Sequence, residues 1–364
     1  MQCPRCLNED SKYFYQGSKG VYCRKCVTFK RILLDDVEER YYQDKMMDCD
    51  YQLSFTLTSL QTTISDQLAD MIDENDVLVY AACGAGKTEI VMKSIKKYLN
   101  NGKRVGFATP RRQVVIEVGK RLSQAFKQIE VIWVCQGYTN KTVGDLIVCT
   151  THQLYRYHHY FDLLILDEPD AFPYRGNATL AGIVKTSCQG HIIYLTATPD
   201  SSLMRLPTLT LFKRPHGHDL IVPRIIYCPN ILDYIVLLRW LNRKNRVLVF
   251  VPTIALSIKL ARFLKVPAFN SLTKDKDMII EDFKLNKWKY LVCTTILERG
   301  ITISNVNVVV FHGEHSVFDK SSLIQIMGRI GRDPKYPKGE GLMICHRREK
   351  KIDECLKVIQ MMNA

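Results

Sequence analysis

Leu163-Leu164-Ile165-Leu166-Asp167-Glu168-Pro169-Asp170 is a run of four apolar residues that stops on carboxylates. A short, unbroken apolar run of this kind is expected of a strand buried on both faces, as in a parallel sheet covered by helices. Acidic residues just past its end then lie at the edge where open α/β sheets gather their ligands. Upstream, Val77-Leu78-Val79-Tyr80 is a second such run, and it leads into Ala81-Ala82-Cys83-Gly84-Ala85-Gly86-Lys87-Thr88. Gly84 and Gly86 let backbone amides approach phosphate oxygens, Lys87 can reach the β- and γ-phosphates, and the Thr88 hydroxyl can ligate Mg²⁺. The pattern departs from its usual form only in having Ala81 at the first position. Given this loop, Asp167 is the expected Mg²⁺ partner and Glu168 the expected base or orienter of the attacking water. Gln61 lies ahead of the loop, where its amide can read an adenine edge. The two motifs together imply hydrolysis of a nucleoside triphosphate, with ATP and Mg²⁺ as the cofactors.

Working outward, the same alternation continues on both sides. Arg104-Val-Gly-Phe-Ala108, Val131-Ile-Trp-Val134, Asp145-Leu-Ile-Val-Cys149 and His191-Ile-Ile-Tyr-Leu195 are further expected strands, and residues 89–100 and 113–127 are expected crossover helices. A break at Lys213-Arg-Pro-His-Gly-His218 is followed by a second series: Arg246-Val-Leu-Val-Phe250, Tyr290-Leu-Val-Cys293, Val306-Asn-Val-Val-Val-Phe311 and Gly341-Leu-Met-Ile-Cys345. Alternating strands and helices in two series predict an α/β protein with two doubly wound parallel sheets. The expected division is residues 1–50, 51–210 and 211–364. In the first part a periodic apolar pattern begins only at residues 33–47.

A chain of 364 residues with a formal charge of +14 has the length for such a division and a balance that favours a polyanionic partner. No stretch reaches the roughly 18 apolar residues of a membrane span. Nor does the N-terminus carry the apolar core of a signal peptide, so a cytoplasmic protein is expected. Charge alone leaves an anionic membrane face open as a partner.

The second series contains Gln325-Ile-Met-Gly328-Arg329-Ile-Gly331-Arg332, with two arginines at the spacing of one helix face. Planar guanidinium groups that stay charged suit a γ-phosphate gaining charge in a transition state, and Gln325 belongs to the same catalytic group. At the other end of the chain, Cys3-Pro-Arg-Cys6 and Cys23-Arg-Lys-Cys26 offer four thiolates, the donor set of a closed structural Zn²⁺ site. Lys12, Lys19, Arg24, Lys25 and Lys30 alternate there with Tyr13, Phe14, Tyr15 and Tyr22. Single-stranded nucleic acid and a partner protein are both open as what this surface meets.

The order of these motifs resembles that of superfamily 2 helicases. Thr109-Pro-Arg-Arg112 is similar to their motif Ia, Thr196-Ala-Thr198-Pro199 to motif III, Thr294-Thr-Ile-Leu-Glu-Arg-Gly300-Ile301 to motif V and residues 325–332 to motif VI. The resemblance implies two tandem RecA-like domains, with Arg329 and Arg332 as arginine fingers. It also implies a nucleic-acid track that includes Thr109, Arg111, Arg112, Thr150, Thr151, Thr294 and Thr295. Thr196 and Thr198 would couple the acidic box to that track. A narrower likeness lies in Asp167-Glu168-Pro169-Asp170-Ala171-Phe172-Pro173-Tyr174, which is similar to the acidic box of the ComFA family of Gram-positive late competence proteins. That family carries Val at the position of Pro169, and it has a four-cysteine motif ahead of its motor. Membership implies an ATP-driven single-stranded DNA translocase or helicase for uptake of transforming DNA at the inner membrane face. Implied partners are the competence machinery (ComFC-like and DprA-like proteins and a DNA channel), and a homo-oligomer stays open. Two other readings stay open as well: a zinc-bearing replication-restart or repair motor similar to PriA, and a non-motor zinc adaptor that binds nucleic acid.

Overall fold

A computed structural model of the chain describes residues 1–35, 46–297 and 303–364. Most of the 33–47 stretch and the motif V residues Glu298, Arg299, Gly300 and Ile301 lie outside the described residues. The chain divides into two compact units, residues 1–81 with 86–211, and residues 82–85 with 212–364.

The first unit opens with a hairpin, β1 (Phe14–Gly17) and β2 (Gly20–Cys23). Its sheet has seven strands: β3 (Val77–Ala81), β4 (Val105–Thr109), β5 (Val131–Val134), β6 (Leu146–Thr150), β7 (Phe161–Asp167), β8 (Cys188–Thr196) and β9 (Thr208–Leu211). Their spatial order is β5-β6-β4-β7-β8-β3-β9, and all the pairings are parallel. Phe161 and Leu163–Leu166 of β7 are buried, as a central strand between helical layers requires. The helices are α1 (Ser59–Met71), α2 (Lys87–Ile90), α3 (Met92–Asn100), α4 (Arg112–Ala125) and α5 (Ala178–Ser187).

The expected single helix at 89–100 is therefore two pieces. Val91 joins them with φ −87° and ψ −7°, at the edge of the helical region, and the helix is interrupted there. Edge strand β9 was not expected, because Thr208-Leu-Thr-Leu211 is short and only half apolar.

In the second unit the sheet is formed by β10 (Arg224–Tyr227), β11 (Val247–Phe250), β12 (Ala268–Phe269), β13 (Tyr290–Cys293), β14 (Asn307–Phe311) and β15 (Gly341–Cys345). The order is β10-β15-β14-β11-β13-β12, again all parallel. Around it lie α6 (Asp233–Leu241), α7 (Ile254–Leu264), α8 (Lys276–Lys284), α9 (Lys320–Met327) and α10 (Lys350–Asn363). The central strands β11 and β14 are apolar and buried; the unexpected strands β10 and β12 are short and lie at the two edges.

Candidate active site

Strand β3 delivers the phosphate-type loop at its C-terminal end. Gly84 and Gly86 have φ of +83° and +89°, the left-handed region that glycine enters without steric cost. A Cβ on Gly86 would come within 2.4 Å of Gln61 Nε2, so only glycine fits beneath that side chain. Gln61 is buried, not solvated. Its Oε1 accepts from the Thr58 amide at 3.0 Å and the Thr58 hydroxyl at 3.2 Å, while Thr58 Oγ1 accepts from the Gln61 amide. This capping box places Gln61 against the loop but commits its acceptor, so an adenine amino group would have to displace a cap donor.

Asp167 ends β7, and its Oδ1 lies 3.9 Å from Lys87 Nζ, with both side chains about 15% exposed. This brings the acidic box and the loop lysine together. Next, Glu168 turns the chain with φ +54°. Its amide donates to the Leu195 carbonyl at 2.9 Å, and its carbonyl accepts from Ala171 N at 3.0 Å. Residues 168–171 thus form a β-turn with Pro169 at the second position, where a fixed φ is favoured and no amide is needed. The one departure from the family's box is therefore at a place that suits proline.

Asp170, buried at the third position of the turn, receives both threonines of the neighbouring strand end. Thr196 Oγ1 donates to Asp170 Oδ1 at 2.5 Å, Thr198 Oγ1 to Asp170 Oδ2 at 2.8 Å, and Thr198 N to Thr196 Oγ1 at 2.9 Å. The threonines therefore meet the acidic box at its fourth residue.

Of the expected track residues, Thr109 and Thr150 sit opposite each other at the ends of β4 and β6. Thr109, Thr151 and Thr294 are buried; Arg111, Arg112, Thr150 and Thr295 are half-buried. Arg112 Nε donates to the Gln136 carbonyl at 2.8 Å, so this guanidinium is already engaged within its own unit.

In the second unit Gln325 is buried on α9, which Asp319 caps by accepting from Ser322 N at 2.7 Å. Arg329 and Arg332 do not share a helix face. The helix stops at Met327, and a series of turns through Gly331 (φ +68°) carries the arginines instead. Arg329 is 2% exposed, while Arg332 is half-buried with its Nε donating to the Gly328 carbonyl at 2.9 Å. The turns are held by a residue the sequence did not reveal. Arg214 Nη1 donates to the Ile330 and Gly331 carbonyls at 2.7 and 3.0 Å, and Nη2 to the Gly328 carbonyl at 2.9 Å. Burial, with Arg332 nearby, pulls its pKa down to about 10, so it stays charged at neutral pH. In the sequence Arg214 lies between Lys213 and a proline in a break, and no periodicity marks it.

Cys3, Cys6, Cys23 and Cys26 converge in the first unit, all buried and unoxidised. Their Sγ atoms lie within 4.8 Å of one another, with Cys3–Cys26 at 3.7 Å and Cys6–Cys23 at 3.8 Å. Zn–S bonds of about 2.3 Å at tetrahedral angles place sulfurs roughly 3.8 Å apart, so the donor set fits Zn²⁺ and is too wide for disulfides. Hydrogen bonding from Cys26 and Cys6 pulls the Cys3 thiol well down, while the contacts of Cys26 with Cys3 and Cys6 push Cys26 up. The knuckles press on the main sheet's helices. Thr186 Oγ1 donates to the Arg5 carbonyl at 2.7 Å, and a Cβ on Gly182 of α5 would come within 2.1 Å of the Cys6 carbonyl oxygen.

The chain is 34% identical to the competence protein ComFA of Streptococcus pneumoniae over 99% of its own length and 90% of that protein's. It is 31% identical to ComFA of Bacillus subtilis, covering all of this chain and 85% of the relative. The chain belongs to the ComFA family. Residues 54–201 match the family described as Type III restriction enzyme, res subunit, and 229–334 match the helicase conserved C-terminal domain. Among solved structures, Dbp5 of S. cerevisiae bound to RNA and ADP BeF3 superposes with a TM-score of 0.64 at 20% identity, covering 83% of this chain and 88% of that one. These matches make this chain a superfamily 2 ATP-dependent helicase or translocase built on two RecA-like domains. Among the described residues no helix is long and apolar enough to cross a membrane.

Proposed function

We propose that this ComFA-family motor is a DNA-dependent ATPase that moves along single-stranded DNA and powers uptake of transforming DNA. Gly84, Gly86, Lys87 and Thr88 would hold the ATP phosphates, and Thr88 with Asp167 would hold Mg²⁺, whose chemistry is to neutralise charge on the phosphoryl oxygens. Glu168 would orient or deprotonate the attacking water, and Gln325, Arg329 and Arg332 would stabilise the charge that develops on the γ-phosphate. Thr109, Arg111, Arg112, Thr150, Thr151, Thr294 and Thr295 are assigned to the phosphate track; the buried threonines among them would contribute backbone groups rather than hydroxyls. Zn²⁺ at the four cysteines would be structural, since a filled tetrahedral site leaves no open position.

The observation that carries this reading is the double donation from Thr196 and Thr198 to Asp170. It ties Asp170, two positions after Glu168, to the end of β8, so a change at one strand end is felt at the other. Work at the inner membrane face beside ComFC-like and DprA-like proteins and a DNA channel follows from family membership and is part of the same proposal. The test is the steady-state ATPase rate with single-stranded DNA, duplex DNA and RNA, using Lys87→Ala as the blank. Stimulation by single-stranded DNA above the other two is expected; no stimulation by any nucleic acid would sink the motor reading.

A further inference from the structure

Where the cysteine module meets the end of the 3₁₀ turn Thr151–Arg156, a cavity of about 200 Å³ stays open. Arg5, Lys19, Lys30 and Arg31 line it from the module, and Tyr155 and Arg156 from the turn. Among the described residues no carboxylate lines it. Five like charges around one concavity repel one another, and they raise the local concentration of anions that approach it. Two of the cations are fixed. Arg5 Nη1 donates to the carbonyls of Phe29 and Lys30, and Arg156 Nε donates to Gln153 Oε1. Both guanidinium groups also flank the Tyr155 ring, at 5.8 and 5.1 Å from its centre. The module cannot drift from this wall, because Phe29 packs on Tyr155 and His152 and the Arg5 carbonyl is held by Thr186.

Cations around an aromatic face are the chemistry that binds a nucleotide of a single strand, phosphate to the charges and base to the ring. The position also fits. At a 3₁₀ rise of about 2.0 Å per residue, the turn carries the chain roughly 10 Å from Thr151 to the cavity. We propose that this cavity takes one phosphate-bearing nucleotide of single-stranded DNA and extends the track from Thr150 and Thr151 onto the cysteine module. The proposal rests on the DNA-motor reading above. A free phosphate ion presents the same charge chemistry, so the experiment separates the two.

The variant is the full chain with Lys19→Glu and Lys30→Glu, both exposed on the surface. Equal DNA-free ATP hydrolysis in variant and unsubstituted chain reports that it folds. Affinity for oligothymidylates of increasing length is measured by fluorescence anisotropy between 50 and 200 mM salt. Long oligonucleotides are expected to bind about tenfold more weakly, with the slope of log affinity against log salt reduced by about 1.4, as for two lost phosphate contacts. Short oligonucleotides that end at Thr150 and Thr151 are expected to bind unchanged. Equal binding of long oligonucleotides by both proteins overturns the proposal, and so does a loss that is the same at every length. If inorganic phosphate raises the melting temperature of the unsubstituted chain alone while DNA affinities match, the cavity is a free-anion site and the proposal fails. An unsubstituted chain that binds no DNA at all overturns the motor reading as well, a result distinct from the other three.

Discussion

Two turns hold the residues assigned to nucleotide chemistry, one in each unit, and they are fixed by opposite means. The turn at 168–171 follows β7 and is secured from next door: Glu168 by Leu195 of the paired strand, Asp170 by Thr196 and Thr198 just beyond it. The turns at 328–331 follow α9 and are secured from far along the chain, by the single buried guanidinium of Arg214 on three carbonyls. A parallel sheet supplies neighbours at every strand end, so its edge turns can be held by short side chains. A helix end outside the sheet has no such neighbour and needs a long donor with several N–H groups.

The sharpest test of this comparison is chemical. Glu168→Gln is expected to lower kcat for ATP hydrolysis by about 10²- to 10⁴-fold, the range for loss of a general base, with ATP binding retained. The bonds to Leu195 and Ala171 use Glu168 backbone atoms and survive the substitution; a fall in both kcat and melting temperature would show that the side chain is structural. Arg214→Ala comes next. It removes a donor from four buried carbonyls, those of Cys83, Gly328, Ile330 and Gly331, and should cost about 2–4 kcal/mol, read by denaturant unfolding, together with a drop in ATPase activity. Arg214→Lys should rescue little, since a compact ammonium cannot donate along the fork.

That second turn was also the less legible one. The strands that build both sheets could be predicted from their apolar runs, and the acidic box was marked by where one of those runs stopped. The spacing of Arg329 and Arg332 predicts one helix face, yet the helix stops at Met327, before both. Two glycines beside them end the helix, and glycine states only that the chain can turn, not that it does. Arg214 left no trace, because its partners are main-chain oxygens more than a hundred positions away and carbonyls have no sequence signature. Edge strands β9, β10 and β12 escaped for a related reason: short strands with one neighbour need little apolar patterning.

Smaller effects test the first turn. Asp170→Asn keeps the shape but replaces one accepting oxygen by a donor, so one threonine hydroxyl loses its acceptor. A loss of about 1–2 kcal/mol is expected, with DNA stimulation of ATPase reduced more than the DNA-free rate. If both rates fall together, the threonines hold the strand end but do not couple it. Pro169→Val, which restores the family's usual residue, should be the mildest change. Removing a proline from the second position of a β-turn frees the unfolded chain and costs about 0.5–1 kcal/mol, with ATPase activity retained.

The contact between Gly182 and the Cys6 carbonyl has a bearing on how this chain can be taken apart. Four cysteines around a metal usually suggest a bead on a string, a part that can be clipped off, swapped or borrowed. Here the bead has been seated in a notch cut to the width of a hydrogen atom, on a helix of the ATPase itself. Deleting residues 1–35 would therefore uncover a bare strip of α5 rather than free an independent motor. A graft of the cysteine loop onto another sheet would fail unless it brought that glycine along.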